Sequence, residues 1–396
     1  MFSLFGAALV SASTGSDAGG ITAYTAIGAR FGSGLVWVLI LLAPPLVVVQ
    51  LLAMRMGAVT GKGLTDLIRE ELPLPWTVGV LLALIVANAG IVVSEFAGVA
   101  AAFALFGVPR IVAVPPAAAL LWFLVANGSY RRVERLLLTM GFTVLAYPLA
   151  AALAHPDWGQ VGRDIVYPSI QVNGPYLAGV LAIIGTTLSP YLLLYSQSAV
   201  AERGVSPRAF GTTRAEVILG TFCSTLVAAS IMVAAATLRG TASLPDLTQG
   251  ALIPVTGGLT RVVFAVGLLG ASFLTAGLLP LATAFALGEA LGFERRIEHG
   301  WRDAPVFVAL FTALLGFGAA VTLVPGLPLV LIIFVGQLAN ALALPVVLVT
   351  MLRLAADRVV MGDERAPPLV IAIGGTVVLA VTFVALAALV VAFTPG

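Results

Sequence analysis

The stretch SASTGSDAGGI, Ser11 to Ile21, places an acid, Asp17, among three glycines and four small hydroxyl residues inside the first apolar segment of the chain. An ionised aspartate at the centre of a membrane helix costs about 2.5 to 3.5 kcal/mol on an insertion scale. Glycine runs hold helix poorly. Backbone freed from a helix at membrane depth must be satisfied by protein or line a watery cavity, so a weak helix carrying an acid points to a ligand. A cation beside Asp17 would offset its cost. The bland alternative is an Asp17 that is protonated, or bonded to Ser11, Ser13 or Thr14, and only joins helices.

The rest of the chain makes membrane depth the right frame. Hydrophobic residues are 60% of 396, charged residues 10%, and the mean hydropathy is +1.10. Soluble domains carry about a quarter charged residues. A crossing helix needs roughly 20 apolar residues, and segments of that kind fall near residues 3–28, 33–56, 76–107, 110–127, 134–154, 175–200, 212–238, 259–291, 304–323, 326–352 and 368–393. The expectation is an all-α integral membrane protein with 11 transmembrane helices. A β-barrel would alternate apolar and polar residues in runs of about ten, and no such runs occur.

Basic residues set the orientation. With the N-terminus cytoplasmic, the inside loops hold Arg55, Lys62, Arg69; Arg131, Arg132, Arg135; Arg203, Arg208, Arg214; Arg295, Arg296, Arg302; and Arg353, Arg358, Arg365. The other side holds Arg30, Arg110, Arg163, Arg239 and Arg261, a division of fifteen to five. That is a positive-inside pattern. It places the C-terminus outside; the expectation is a multi-pass membrane protein, monomeric and in contact with the lipid bilayer. A formal net charge of +2 asks for no nucleic-acid partner. The start MFSLFGAALVSAST has the look of a signal peptide but lacks a basic leader, so cleavage is not expected. Cys223, the single cysteine, reads as a small buried hydrophobe.

Residues 1–155 hold five segments and residues 175–355 five more, with the polar linker 156–174 between them and 356–396 adding a loop and an eleventh helix. An odd number per half inverts the second repeat relative to the first. The first segment of each half is the interrupted one: STGSDAGG in segment 1, and GTTLSP, residues 185–190, in segment 6. Paired breaks in inverted repeats mark a transporter's midplane site. Pro190 lacks an N–H to give to residue 186, which frees a carbonyl there.

Segment 1 running into LLAMRMGAVTGKGLTDLIREELP (residues 51–73) resembles the Nramp family of divalent metal transporters. So do TTLSPYLLLYSQSA (186–199) and GQLANALALPVVLVTMLRLAADRVVMG (336–362), which look most like its magnesium-transporting branch. The resemblance implies a LeuT-type fold with broken helices 1 and 6 and a divalent cation as cargo, with no cofactor. It implies a metal set of Asp17, Thr14, Gly20, Thr186, Ser189 and Gln337, with Thr14 and Thr186 acting through their carbonyls. Glu95, Tyr191, Asn88 and Asn340 become residues of the path or of coupling.

Departures from the family pattern define the expectation further. Where the family has Asp-Pro-Gly-Asn this chain has Asp17, Ala18, Gly19 and Gly20; where it has Met-Pro-His this chain has Ser189, Pro190 and Tyr191. Loss of a soft sulfur moves the site toward oxygen chemistry, which suits Mg²⁺ as well as Mn²⁺. Glu95 stands at the family's first acidic position in helix 3, Gly98 at the second and Tyr191 at the histidine, so weak or no proton coupling is expected. Glu95 stays open between a path carboxylate, a proton acceptor and a structural hydrogen bond. Gln337 is an even choice between ion contact and helix glue. Glu216 and Glu289 read as interfacial, and His155 and His299 as solvated.

An enzyme is not expected. No G-x-x-x-x-G-K-[ST] loop is present, which leaves an ATP-driven pump unsupported, and the loops are too short for a catalytic domain. The alternative from another ligand class is a sodium- or proton-coupled organic-solute carrier, amino-acid-like, in which Asp17 would bind an amine.

Overall fold

Long runs of Leu, Val, Ile and Ala without charge satisfy their backbone only as helices, and the computed structural model is helical throughout the residues it describes: 17–127, 146–202, 204–205, 210–237, 258–291 and 305–393. The helices are α1 (Ala18–Phe31), α2 (Val36–Thr60), α3 (Leu64–Glu71), α4 (Leu74–Ala104), α5 (Arg110–Asn127), α6 (Ala146–Leu153), α7 (Trp158–Val166), α8 (Gly174–Thr187), α9 (Pro190–Glu202), α10 (Phe210–Ala236), α11 (Gly258–Leu291), α12 (Pro305–Leu323), α13 (Leu329–Ala356), α14 (Arg358–Met361) and α15 (Pro368–Phe393). Eight stretches are long and apolar enough to cross a bilayer, with α8 and α9 together forming one of them. Of the eleven expected segments, the fourth is α5, which spans the expected residues 110–127, and the first and fifth are represented by α1 and α6, whose described lengths are shorter.

Two expectations are corrected. Residues 57–75 and the linker 156–174 were read as loops, yet they contain α3 and α7. Both are short amphipathic helices: α3 buries Leu64, Leu67 and Ile68 on one side, and α7 starts where the Asp157 carboxylate accepts from the Gln160 amide at 3.0 Å. Their apolar stripes are too brief to register as a crossing. The second correction concerns the glycines of the opening stretch. Gly19 and Gly20 are not unwound; they form the first turn of α1, and the helix begins after Asp17.

Close helix contacts hold the bundle together. In lipid there is no hydrophobic gain between helices, so small residues that let backbones approach carry the packing. A Cβ on Gly28 of α1 would stand 2.3 Å from the Met232 carbonyl oxygen of α10. A Cβ on Gly57 of α2 would stand 2.3 Å from the Gln197 carbonyl oxygen of α9. Thus α1 lies on α10, and α9 lies on α2. Helix α4 runs through the middle, packed on α11, α12 and α13 and buried on every face from Ile91 to Ala102. Outward-facing Leu82, Val86, Phe123, Phe222, Phe317, Leu379 and Phe383 are exposed, as lipid-facing side chains would be.

Surface ties group the helix ends. Arg55 at the end of α2 donates to Glu364 beyond α13 at 2.5 Å. At the opposite ends, Ser33 between α1 and α2 bonds Asp164 of α7, and Arg110 of α5 donates to the Leu327 carbonyl at 3.1 Å.

Candidate functional site

Asp17 has extended backbone, φ −65° and ψ 172°, and its carboxylate caps α1 by accepting from the Gly20 amide at 2.5 Å. A carboxylate is favourable there because the first amides of a helix have no internal partner. The side chain is only 7% exposed. Gly20 therefore enters the site through its amide, which is committed to Asp17. Thr14 lies outside the described residues.

The interruption between α8 and α9 faces the start of α1. Helix α8 ends at Thr187, Leu188 takes φ −106° and ψ 60°, and α9 starts at Pro190. The Thr186 carbonyl loses its donor because residue 190 is proline. The interruption at 189 would also orphan the Gly185 carbonyl, and Asn340 of α13 replaces the helical bond. Its Nδ2 donates to the Gly185 carbonyl at 2.5 Å and to Ser189 Oγ at 3.1 Å. One turn earlier on α13, Gln337 accepts from the Thr186 hydroxyl through Oε1 at 3.1 Å. Its Nε2 faces Asp17 outside hydrogen-bonding geometry. Gln337 thus bridges the start of α1 and the interruption between α8 and α9.

Glu95 of α4 closes the other side. Its Oε2 accepts from the Ala18 amide at 3.2 Å and also faces the Gly19 amide, while Oε1 has no hydrogen-bond partner among the described residues. Glu95 is fully buried. Gly98, one turn along, presses on α1: a Cβ there would stand 2.2 Å from the Ala18 Cβ and 2.6 Å from Ser272 Oγ of α11.

Asn88 and Tyr191 belong to a neighbouring space. They line a cavity between α4, α9 and α11 together with Tyr195, Ser198 and Phe285, with about 50 Å³ reachable by the centres of water-sized groups. That is room for a few waters. Asn88 Nδ2 donates to Thr283 Oγ1 at 2.9 Å, and the Tyr191 and Tyr195 rings stand 6.0 Å apart.

The sequence-derived residues therefore fall into two sets. Asp17, Gly20, Thr186, Ser189, Gln337, Asn340 and Glu95 meet around the start of α1 and the interruption between α8 and α9; Asn88 and Tyr191 line the adjacent cavity. Sequence reading missed Tyr24 and Thr187, whose hydroxyls lie 3.1 Å apart and tie α1 to the end of α8. Tyr24 stands seven residues after Asp17, two helical turns along the same face, which is the only signal that could have found it. Among the described residues no three His, Cys, Asp or Glu side chains gather as a metal cluster. The donors here are oxygens and amides.

Residues 7–391 match the family model for natural resistance-associated macrophage protein-like chains, Nramp. The chain belongs to the Nramp family. Among curated Nramp relatives, the divalent metal cation transporter MntH of Yersinia pestis is 27% identical over 372 residues, 85% of this chain and 87% of that one. MntH of Burkholderia ambifaria is 27% identical over 382 residues, covering 92% and 83%. These relatives are named as transporters, not enzymes. The solved manganese transporter of Eremococcus coleocola superposes with a TM-score of 0.71 at 21% identity, over 97% of this chain and 85% of that one. MhsT, solved with L-phenylalanine, superposes at 0.60 and 16% identity over 98% and 97%. The fold is the LeuT-type fold that Nramp proteins share with such carriers.

Proposed function

We propose that this Nramp protein carries divalent cations, Mg²⁺ and Mn²⁺, across a bacterial inner membrane by alternating access. The observation that carries the reading is the convergence of Asp17 at one helix break with the Thr186 carbonyl and Ser189 at the other, joined through Gln337. The names of the MntH relatives supply the ion class. Ser189 and Tyr191 stand where the family pattern has methionine and histidine, and an oxygen-rich set with one ionised ligand suits a partly hydrated hard ion. Gln337 adds a device for accepting charge. Its amide nitrogen is turned toward Asp17, and half a turn about its last bond would present oxygen instead, with Thr186 still bonded through its hydroxyl.

Two inverted repeats, residues 1–155 and 175–355, organise the motion. Support comes from reciprocal packing: α1 rests on α10 as α9 rests on α2, each through a glycine against a carbonyl. The surface ties fit the topology with the N-terminus cytoplasmic and the C-terminus outside, since Arg55 and Glu364 fall on one side and Ser33, Asp164, Arg110 and Leu327 on the other. Proton coupling is weak or absent in this reading. The family's second acid position is Gly98, where α1 and α11 leave no space for a side chain.

The deciding experiment is uptake into proteoliposomes of Mg²⁺ and of Mn²⁺, with and without an imposed pH gradient and with internal pH recorded. Flux of both ions without proton movement is expected. Flux of neither would replace this reading with an organic-solute carrier in which Asp17 pairs an amine.

A further inference from the structure

Hydroxyls inside these helices usually return their proton to the carbonyl four residues back. Thr25 does so to Ile21 at 2.7 Å, Thr283 to Leu279 at 2.7 Å and Thr322 to Gly318 at 2.9 Å. Thr22, Ser272 and Thr275 do not. They are 1%, 0% and 4% exposed, and their oxygens have no hydrogen-bond partner among the described residues. Glu95 Oε1 shares that condition. A buried polar atom without a partner costs about 1 to 3 kcal/mol, so four in one region ask for a common cause.

Helix register brings them to one region. Helices α4 and α11 run antiparallel, since Asn88 bonds Thr283 while Gly98 meets Ser272. Glu95, between Asn88 and Gly98, is therefore level with Thr275. Ala18 touches Gly98 and bonds Glu95, and Thr22 is the next turn on the same face of α1. Three helices thus contribute a carboxylate oxygen and three hydroxyl oxygens to one seam.

We propose that Thr22, Glu95, Ser272 and Thr275 form a sodium site beside the divalent-cation site at Asp17, the two sharing Glu95 as their common border. The ligand chemistry selects the ion. All four atoms are hard oxygen donors, and only one is anionic. That carboxylate already shares its charge with the Ala18 and Gly19 amides. Such a field is too weak to strip Mg²⁺, which dehydrates reluctantly and keeps its waters, while the close approach of α1 to α4 at Gly98 leaves no room for a hydrated ion. A small monovalent cation, which gives up water more easily, fits both constraints. Sodium there would neutralise Glu95 and tie α1 to α4 and α11, three elements that must part or meet when access alternates.

The test is binding of radioactive sodium to the purified full-length protein in detergent, with choline holding ionic strength constant. Saturable binding is expected for the parent, weakened about tenfold or more by Thr275→Val and by Ser272→Ala, the order expected for loss of one ligand oxygen. Thr275→Ser should bind as the parent does. Melting temperature without sodium checks folding of each variant, and sodium should raise it for the parent but not for Thr275→Val. Absence of saturable binding to the parent, or parent-like affinity in both Thr275→Val and Ser272→Ala, would overturn the proposal. Divalent uptake measured in sodium-free proteoliposomes reports on the Asp17 site alone, so either reading can fail without the other.

Discussion

Gly19 of α1 lies so close to Gln337 of α13 that a Cβ built on it would stand 1.9 Å from the amide nitrogen. The obstructing atom is the tip of a flexible side chain, so Gly19→Ala should fold. It should also push Gln337 away from Asp17 and Thr186. Divalent uptake is expected to fall about tenfold, the scale of one displaced hydrogen-bonding group. Adding Gln337→Ala removes the obstruction, and the double variant should transport no worse than Gln337→Ala alone. An uptake loss that simply adds in the pair would show that the two residues act independently.

Asp17 has two roles that substitution can separate. Asn caps helices as well as Asp, whereas Ala does not, and loss of a cap costs about 1 kcal/mol. Asp17→Asn should keep the thermal stability of the parent and lose divalent uptake. Asp17→Ala should lose both. Uptake at the parental rate in Asp17→Asn would remove this carboxylate from the ion site.

Gly185 of α8 touches a different kind of atom. A Cβ there would stand 2.3 Å from the Gln337 carbonyl oxygen and 2.9 Å from the Ala341 Cβ. Backbone cannot swing aside, so Gly185→Ala should destabilise the protein by about 1 to 3 kcal/mol, the usual cost of overpacking. Melting in detergent measures this, and the loss should exceed that of Gly19→Ala.

Ser189 accepts from Asn340 and stands where the family carries methionine. Ser189→Met introduces a soft sulfur beside the Thr186 carbonyl, and the ratio of Mn²⁺ to Mg²⁺ uptake should rise. An unchanged ratio would place Ser189 away from the ion.

The crossings were legible because length and apolar composition alone decide them, and the interruption before Pro190 because proline leaves a mark in a sequence; the glycines of the opening stretch left a mark that misled, since Gly19 and Gly20 are helical. Asp17, Ser189 and Gln337 could be singled out for the same reason: polar residues stand out in an apolar background. Helices α3 and α7 were hidden by their brevity. The bond from Ala18 to Glu95 joins residues 77 apart and depends on how α4 crosses α1, which no local pattern encodes. Thr22, Ser272 and Thr275 were hidden for the opposite reason. Hydroxyls are common in membrane helices, and only the observation that these three make no bond to their own backbone distinguishes them.

Gly98 bears on how such a protein could change over generations. Wherever a Cβ is added at this position it meets Ala18 and Ser272 at once, at 2.2 Å and 2.6 Å. Placing an acid there is therefore not a single mutational step. Helix α1 would first have to retreat from α4, through intermediates with a loosened ion site, before a second carboxylate could be housed. Packing thus works as a ratchet at this position: a substitution at Gly98 alone is penalised until Ala18 and Ser272 have given way.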